Sequence, residues 1–73
     1  MAITQADLDT LFKHHPPTRE AGAHHDAIRV AAKVFAATVL EHTPPSADQT
    51  AAIRKIREAV FTANAAIALD GRF

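Results

Sequence analysis

Two pairs of adjacent prolines constrain the fold of this chain more than any other feature of its sequence. They are Pro16-Pro17 and Pro44-Pro45. Proline has no amide hydrogen to donate and restricts the residue before it, so a regular helix does not continue through either pair. The two pairs therefore divide the chain into three pieces that must form their secondary structure separately.

Each of the three pieces carries the signals of a helix. Alanine is abundant, glycine is scarce and alternating apolar runs are absent, which favours helix over strand. Thr4, Thr18 and Ser46 are each placed to cap a helix N-terminus. Gln49 follows Ser46 at the spacing of a capping box, in which the glutamine side chain reaches back to the cap, and Gly71 is a natural helix stop. We expect helices at about 4–12, 19–42 and 46–70.

The apolar residues of the two longer pieces recur at helical spacing. The second piece has a stripe at intervals of four, three and four residues, formed by Ile28, Ala32, Phe35 and Val39. The third piece has a heptad seam formed by Ile53, Ile56, Val60, Ala63 and Ile67. Because the connection between these helices is short, we expect them to pack antiparallel, as an all-α fold with a short N-terminal helix followed by a two-helix hairpin.

The predicted hairpin has more apolar surface than two helices can cover. The second faces consist of Val30, Val34 and Ala37 on one helix and Phe61, Ala65 and Ala68 on the other. The short first helix adds Leu8, Leu11 and Phe12, and so short a helix needs a surface on which to dock. A chain of 73 residues (a single domain, 1–73) buries little apolar surface alone. We therefore predict a homo-oligomer.

Composition excludes several classes of function. Eight Lys and Arg residues balance eight Asp and Glu residues, whereas a protein that coats DNA or RNA usually carries a basic excess. The chain has no cysteine, which rules out disulfides and thiolate metal sites. No apolar run approaches the length of a membrane span, and the N-terminus does not resemble a signal peptide. We expect a soluble, intracellular protein.

Four residues stand out as candidates for binding. His14 and His15 precede the rigid Pro16-Pro17, where an imidazole could stack on a base or contact phosphate, although a plain connecting segment is the simpler interpretation. Arg29 lies beside the core stripe and either extends to solvent or offers its guanidinium to an anion. Asn64 adjoins the apolar seam, where its amide forms hydrogen bonds either within the protein or with the polar edge of a ligand.

Enzymatic and metal-dependent functions find no support in the residue pattern. We find no nucleophile with a base and an orienting group, no glycine-rich phosphate loop and no paired carboxylates on an apolar face. The adjacent histidines point to different sides of a helix, so they do not form a helical metal site. Arg54, Lys55 and Arg57 form a local basic patch that is typical of a solvated helix face.

The motifs taken together resemble a family of small phage-encoded helical hairpins, the anti-CBASS and anti-Thoeris proteins. The segment from Glu58 to Ala68, EAVFTANAAIA, is similar to the signature of their C-terminal helix. Upstream, FKHHPP from Phe12 to Pro17 and HDAIR from His25 to Arg29 match the family's Phe-x-Tyr-His-x-Pro and Tyr-Glu-Ala-Leu-Arg elements in order. The resemblance covers about 11–68.

The resemblance implies a function and a set of residues. It implies a homohexamer whose intersubunit pockets hold cyclic dinucleotides or trinucleotides without cleaving them, in the cytoplasm of the infected bacterium, and it implies no cofactor. By position, His14 would stack on a base with His15 beside it, and Arg29 would meet phosphate. Histidine replaces the family's tyrosine at His14 and His25, which leaves the choice of ligand open. The alternative is a structural or adaptor hairpin that binds a protein through its apolar second face.

Overall fold

The computed structural model describes residues 2–14, residue 16 and residues 18–72 of the chain. Its elements are three helices: α1 (Gln5–Leu11), α2 (Arg19–His42) and α3 (Ala47–Ala68). The two long helices pack against each other as an antiparallel hairpin. The all-α fold class predicted from the sequence is confirmed. Of the residues assigned to function or structure above, His15 and Pro17 lie outside the described residues.

Each helix begins at the predicted cap. The hydroxyl of Thr4 accepts from the amide of Asp7 at 3.1 Å, and the Asp7 carboxylate accepts from the amide of Thr4 at 2.9 Å, which completes a capping box on α1. Thr18 caps α2 by accepting from the amide of Ala21 at 3.0 Å. Ser46 caps α3 by accepting from the amide of Gln49 at 3.1 Å.

The second half of the capping box predicted at Ser46 is wrong. The side-chain amide of Gln49 does not return to Ser46 but donates to the carbonyl and the hydroxyl of Thr43, both at 3.1 Å. The last carbonyls of a helix have no partner within that helix and attract such donors. Gln49 therefore ties the start of α3 to the end of α2 and closes the turn between them.

The seam predicted on α3 faces α2, since all five of its members are partly buried. The stripe predicted on α2 is correct except at Phe35, which is 59% exposed. Ala21 and His25 are partly buried with Ile28 and Val39, so the line of contact on α2 lies to one side of Phe35. Within the described residues only Leu69 is buried, with 8% of its surface exposed, as expected for two helices without a further layer.

The C-terminus of α3 is closed by a Schellman motif. The amide of Gly71 donates to the carbonyl of Ala66 at 3.0 Å, and the amide of Asp70 donates to that of Ile67 at 3.2 Å. Gly71 was predicted as the helix stop, yet Asp70 also has a left-handed backbone, with φ 52° against 72° for Gly71. Aspartate adopts this conformation more readily than most residues with a β-carbon.

Large apolar side chains remain exposed on the hairpin and on α1. They are Ile3, Leu8, Phe12, Val30, Val34, Phe35, Leu40 and Phe61. None of the helices in the described part of the chain is both long and apolar enough to cross a membrane. The surplus apolar surface predicted from the sequence is thus present, and it lies on more than one side of the hairpin.

Candidate functional site

A hydrogen bond between the two long helices organises the candidate site. Nδ1 of His25 on α2 and Oδ1 of Asn64 on α3 are 2.8 Å apart, and the pair is partly buried. An amide oxygen can only accept, so Nδ1 carries the proton and donates it. The Nε2 atom of a neutral His25 is then an acceptor. Asn64 therefore forms a hydrogen bond with a histidine of its own chain, and its role toward a ligand stays a prediction.

Arg29 lies one helical turn after His25 and on the same face of α2, because residues four apart on a helix are neighbours. Its Nη1 atom donates to Oδ1 of Asp26 at 2.9 Å. Both side chains are mostly exposed, so this ion pair contributes little to stability. A guanidinium has five N–H donors, and most of those of Arg29 remain available to a ligand. His25, Arg29 and Asn64 thus share one flank of the hairpin.

His14 stands apart from these three residues in the single chain. It lies in the segment between α1 and α2, and its side chain is exposed. The structure brings Asn64 next to His25, and Arg29 follows His25 by one turn of α2, whereas His14 belongs to neither long helix. The role of His14, like that of His15 outside the described residues, remains a prediction from the resemblance.

A hollow opens beside this site at the end of the hairpin where α2 begins and α3 ends. Its volume is about 420 Å³, and its lining consists of Pro16, Thr18, Glu20, Ala21, His24, His25, Ile67, Ala68 and Asp70. The lining contains two carboxylates and no lysine or arginine, which is unfavourable for a phosphate.

His25 was not predicted from the sequence as a member of the candidate site. It entered only as a departure from the tyrosine of the family element, and it was not among the four candidates. The signal that could have found it is its spacing, four residues before Arg29 on one helix face. Among the described residues, no group of three or more histidine, cysteine, aspartate or glutamate side chains is arranged to hold a metal ion.

Comparison with known proteins supplies a family. The model of the Acb2/Tad1 hairpin domain matches residues 4–68, a stretch that includes all three helices and the His25–Asn64 pair. Neither the curated proteins nor the solved structures contain a match to the chain. Proteins of the Acb2/Tad1 family are non-catalytic sponges for cyclic nucleotides. The chain belongs to the Acb2/Tad1 hairpin family of phage anti-CBASS and anti-Thoeris proteins.

Proposed function

We propose that this protein binds and sequesters cyclic dinucleotides or cyclic trinucleotides without cleaving them, and so blocks CBASS-like defence in the cytoplasm of an infected bacterium. The observation that carries the proposal is the family match across residues 4–68. A sponge acts by binding the signal molecule and lowering its free concentration, so it needs affinity and enclosure but no catalytic group.

The flank defined by His25, Arg29 and Asn64 suits part of such a ligand. A cyclic dinucleotide has two phosphates, and a guanidinium can bind a phosphate with two parallel hydrogen bonds. The Asp26 carboxylate occupies one donor of Arg29, so it would compete with a phosphate for the guanidinium while leaving the other donors available. The acceptor atom of His25 and the amide of Asn64 offer hydrogen bonds to a base edge.

His14 would complete the pocket from another subunit. Its exposed position between α1 and α2 leaves its imidazole available for stacking on a base. We propose a homohexamer in which His14 and its neighbour His15 approach the Arg29 flank of an adjacent copy. Symmetry then supplies paired copies of each residue to a ligand that is itself close to two-fold symmetric.

A thermal shift assay with a panel of cyclic dinucleotides and trinucleotides tests this proposal. A ligand that binds only the folded protein raises the melting temperature in proportion to the logarithm of its concentration above Kd. After the protein is denatured, chromatography should recover the ligand intact. A panel in which no ligand stabilises the protein would refute the proposal, and recovery of a linear product would refute the absence of cleavage.

Matched variants locate the site. Arg29→Ala should weaken binding by about tenfold or more, because hydrogen bonds to a charged group contribute about 1.5–3 kcal/mol. Its control is Arg19→Ala, which removes an exposed arginine at the start of α2. For His14→Ala the control is His42→Ala, an exposed histidine at the opposite end of α2. Equal effects of a variant and its control would argue against the assigned site.

A structural or adaptor hairpin is the second candidate function. Val30 and Val34 are 64% and 63% exposed on one face of α2, and such apolar surface is typical of a protein interface. An adaptor would retain a protein partner in a pull-down with the wild-type chain, and Val30→Ser would release it. Arg29→Ala and His14→Ala would leave that partner bound, which separates this function from the sponge.

A further inference from the structure

Helix α1 is formed, but within the described residues it does not pack against the two long helices of its own chain. Phe12, which ends it, is 85% exposed, and Ile3 before it is 62% exposed. A helix of seven residues is not stable in water without tertiary contacts. The apolar face of α1 therefore needs a docking surface that its own hairpin does not supply.

A groove on the hairpin has a shape and composition that suit this helix. It has a volume of about 360 Å³ and lies between the end of α2 and the first half of α3, lined by Leu40, Gln49, Thr50, Ile53, Arg54 and Arg57. We call it the Leu40 groove. Leu40 and Ile53 supply apolar surface, and Leu40 is 59% exposed in the single chain.

The two surfaces have opposite charge. On α2, Arg29 and Lys33 share a helix face with Leu40, since they precede it by eleven and seven residues. Arg29 is paired with Asp26, so the basic residues that line the groove itself are Arg54 and Arg57 on its α3 edge. Helix α1 contains two aspartates and no basic residue.

Those aspartates are placed to meet the basic edge of the groove. At 100° per residue, Asp7 and Asp9 lie on either side of Leu8, and so they flank the apolar face formed with Leu11 and Phe12. Asp7 also takes part in the capping box of α1. The apolar stripe of α1 between two acidic residues thus complements an apolar groove whose α3 edge is basic, and complementary potentials of this kind favour one docking orientation.

The chain cannot dock its own Phe12 at Leu40. From Arg19 to Leu40, α2 rises by about 32 Å at 1.5 Å per residue. From Phe12 to Arg19 the backbone spans at most about 25 Å even when fully extended. Since α1 also packs against neither long helix of its own chain within the described residues, the occupant that presents Phe12 to Leu40 is a second copy of this chain.

We infer that α1 of one copy docks in the Leu40 groove of another, with Phe12 and Leu8 against Leu40 and Ile53 and with Asp9 against Arg54 and Arg57. This contact assembles the protein without a nucleotide. It also places His14, which follows α1, on a neighbouring copy.

Sedimentation equilibrium on the full chain without nucleotide tests the inference. Phe12→Ser should weaken self-association about 30-fold, because an aromatic side chain returns to water. Asp9→Arg and Arg54→Asp should each weaken it about tenfold, and the variant that carries both changes should recover most of the lost affinity. Lys55→Asp is the matched control, since Lys55 lies on the other side of the hairpin, beside Phe35.

Several results would overturn the inference. One is that Phe12→Ser self-associates as strongly as the wild-type protein, and another is that the wild-type protein stays monomeric. A third is that the losses of affinity in Asp9→Arg and Arg54→Asp add in the variant with both changes instead of cancelling. A fourth is that Asp9→Arg restores the affinity of Lys55→Asp as well as it restores that of Arg54→Asp. Circular dichroism of each variant verifies that the hairpin is folded. Because these measurements contain no nucleotide, their failure would leave the ligand panel as a separate test of the sponge function.

Discussion

Replacing Asn64 by alanine measures how much the contact between His25 and Asn64 contributes to the hairpin. The substitution removes a partly buried hydrogen bond of 2.8 Å and leaves the Nδ1–H donor of His25 without its partner. A hydrogen bond of this kind contributes about 1 kcal/mol net, and because the site is only partly buried, water can satisfy some of the abandoned donor. For a domain of this size, we expect a melting temperature lower by about 4–8 °C.

A double-mutant cycle isolates this interaction from other effects of the substitutions. His25→Ala and the variant with both changes should show a coupling of about 1 kcal/mol with Asn64→Ala. The control is Thr62→Ala, because Thr62 donates to the carbonyl of Glu58 within α3 and is exposed. Its effect should lie within about 0.5 kcal/mol of zero.

Urea unfolding, monitored by circular dichroism, provides the free energies of unfolding. All variants are measured at one protein concentration, because self-association adds to apparent stability. If the effects of Asn64→Ala and His25→Ala simply add, the contact does not couple the two helices, and the reasoning from its geometry is refuted. If Asn64→Ala changes the free energy of unfolding as little as Thr62→Ala does, the reasoning is likewise refuted.

Three further predictions concern a charge, a turn and a helix end. Asp26→Asn should strengthen binding of cyclic dinucleotides about two- to fivefold in calorimetry, because it removes the carboxylate that competes with phosphate for Arg29; weaker binding would instead assign Asp26 an orienting role. Gln49→Ala should lower the free energy of unfolding by about 0.5–1.5 kcal/mol in urea titration, because the carbonyl of Thr43 loses its donor. Asp70→Gly should raise the stability by about 0.5–1 kcal/mol in thermal unfolding, because the backbone there has a positive φ.

Each of these three variants has a control within the chain. Asp48→Asn removes an exposed carboxylate at the start of α3 without changing an ion pair, and it should leave nucleotide affinity unchanged. Gln5→Ala changes an exposed glutamine on α1 that makes no side-chain bond to the hairpin, so it should leave the unfolding of the hairpin unchanged. Ala31→Gly places glycine at an exposed position inside α2, where it should destabilise the helix rather than stabilise it.

The elements of this fold were readable from the sequence because their causes are local. The proline pairs determined where the helices are interrupted, and Thr4, Thr18 and Ser46 determined where they begin. The heptad spacing from Ile53 to Ile67 identified the face of α3 that meets α2. Each of these signals depends on backbone chemistry or on helical period within a few residues, so no tertiary information is needed to interpret it.

The candidate site was harder to predict from the sequence, because its contacts join residues that lie far apart in the chain. Asn64 could be recognised as a polar residue beside an apolar seam, but its partner His25 is 39 positions away in the chain, and such a distance is closed only by the way two helices pack. Gln49 is a second example. Its spacing predicted a hydrogen bond to Ser46, but its side chain donates to the unpaired carbonyl of Thr43 at the end of α2.

Local sequence therefore specified three helices, their caps and an apolar surplus, since these follow from spacing along one helix. The tertiary structure added the pairing of His25 with Asn64 across the two long helices and the separation of α1 from its own hairpin. These features depend on the rotation and register of α2 against α3 and on the reach of the segment before α2. Both are properties of two elements at once, and no periodicity within a single element encodes them.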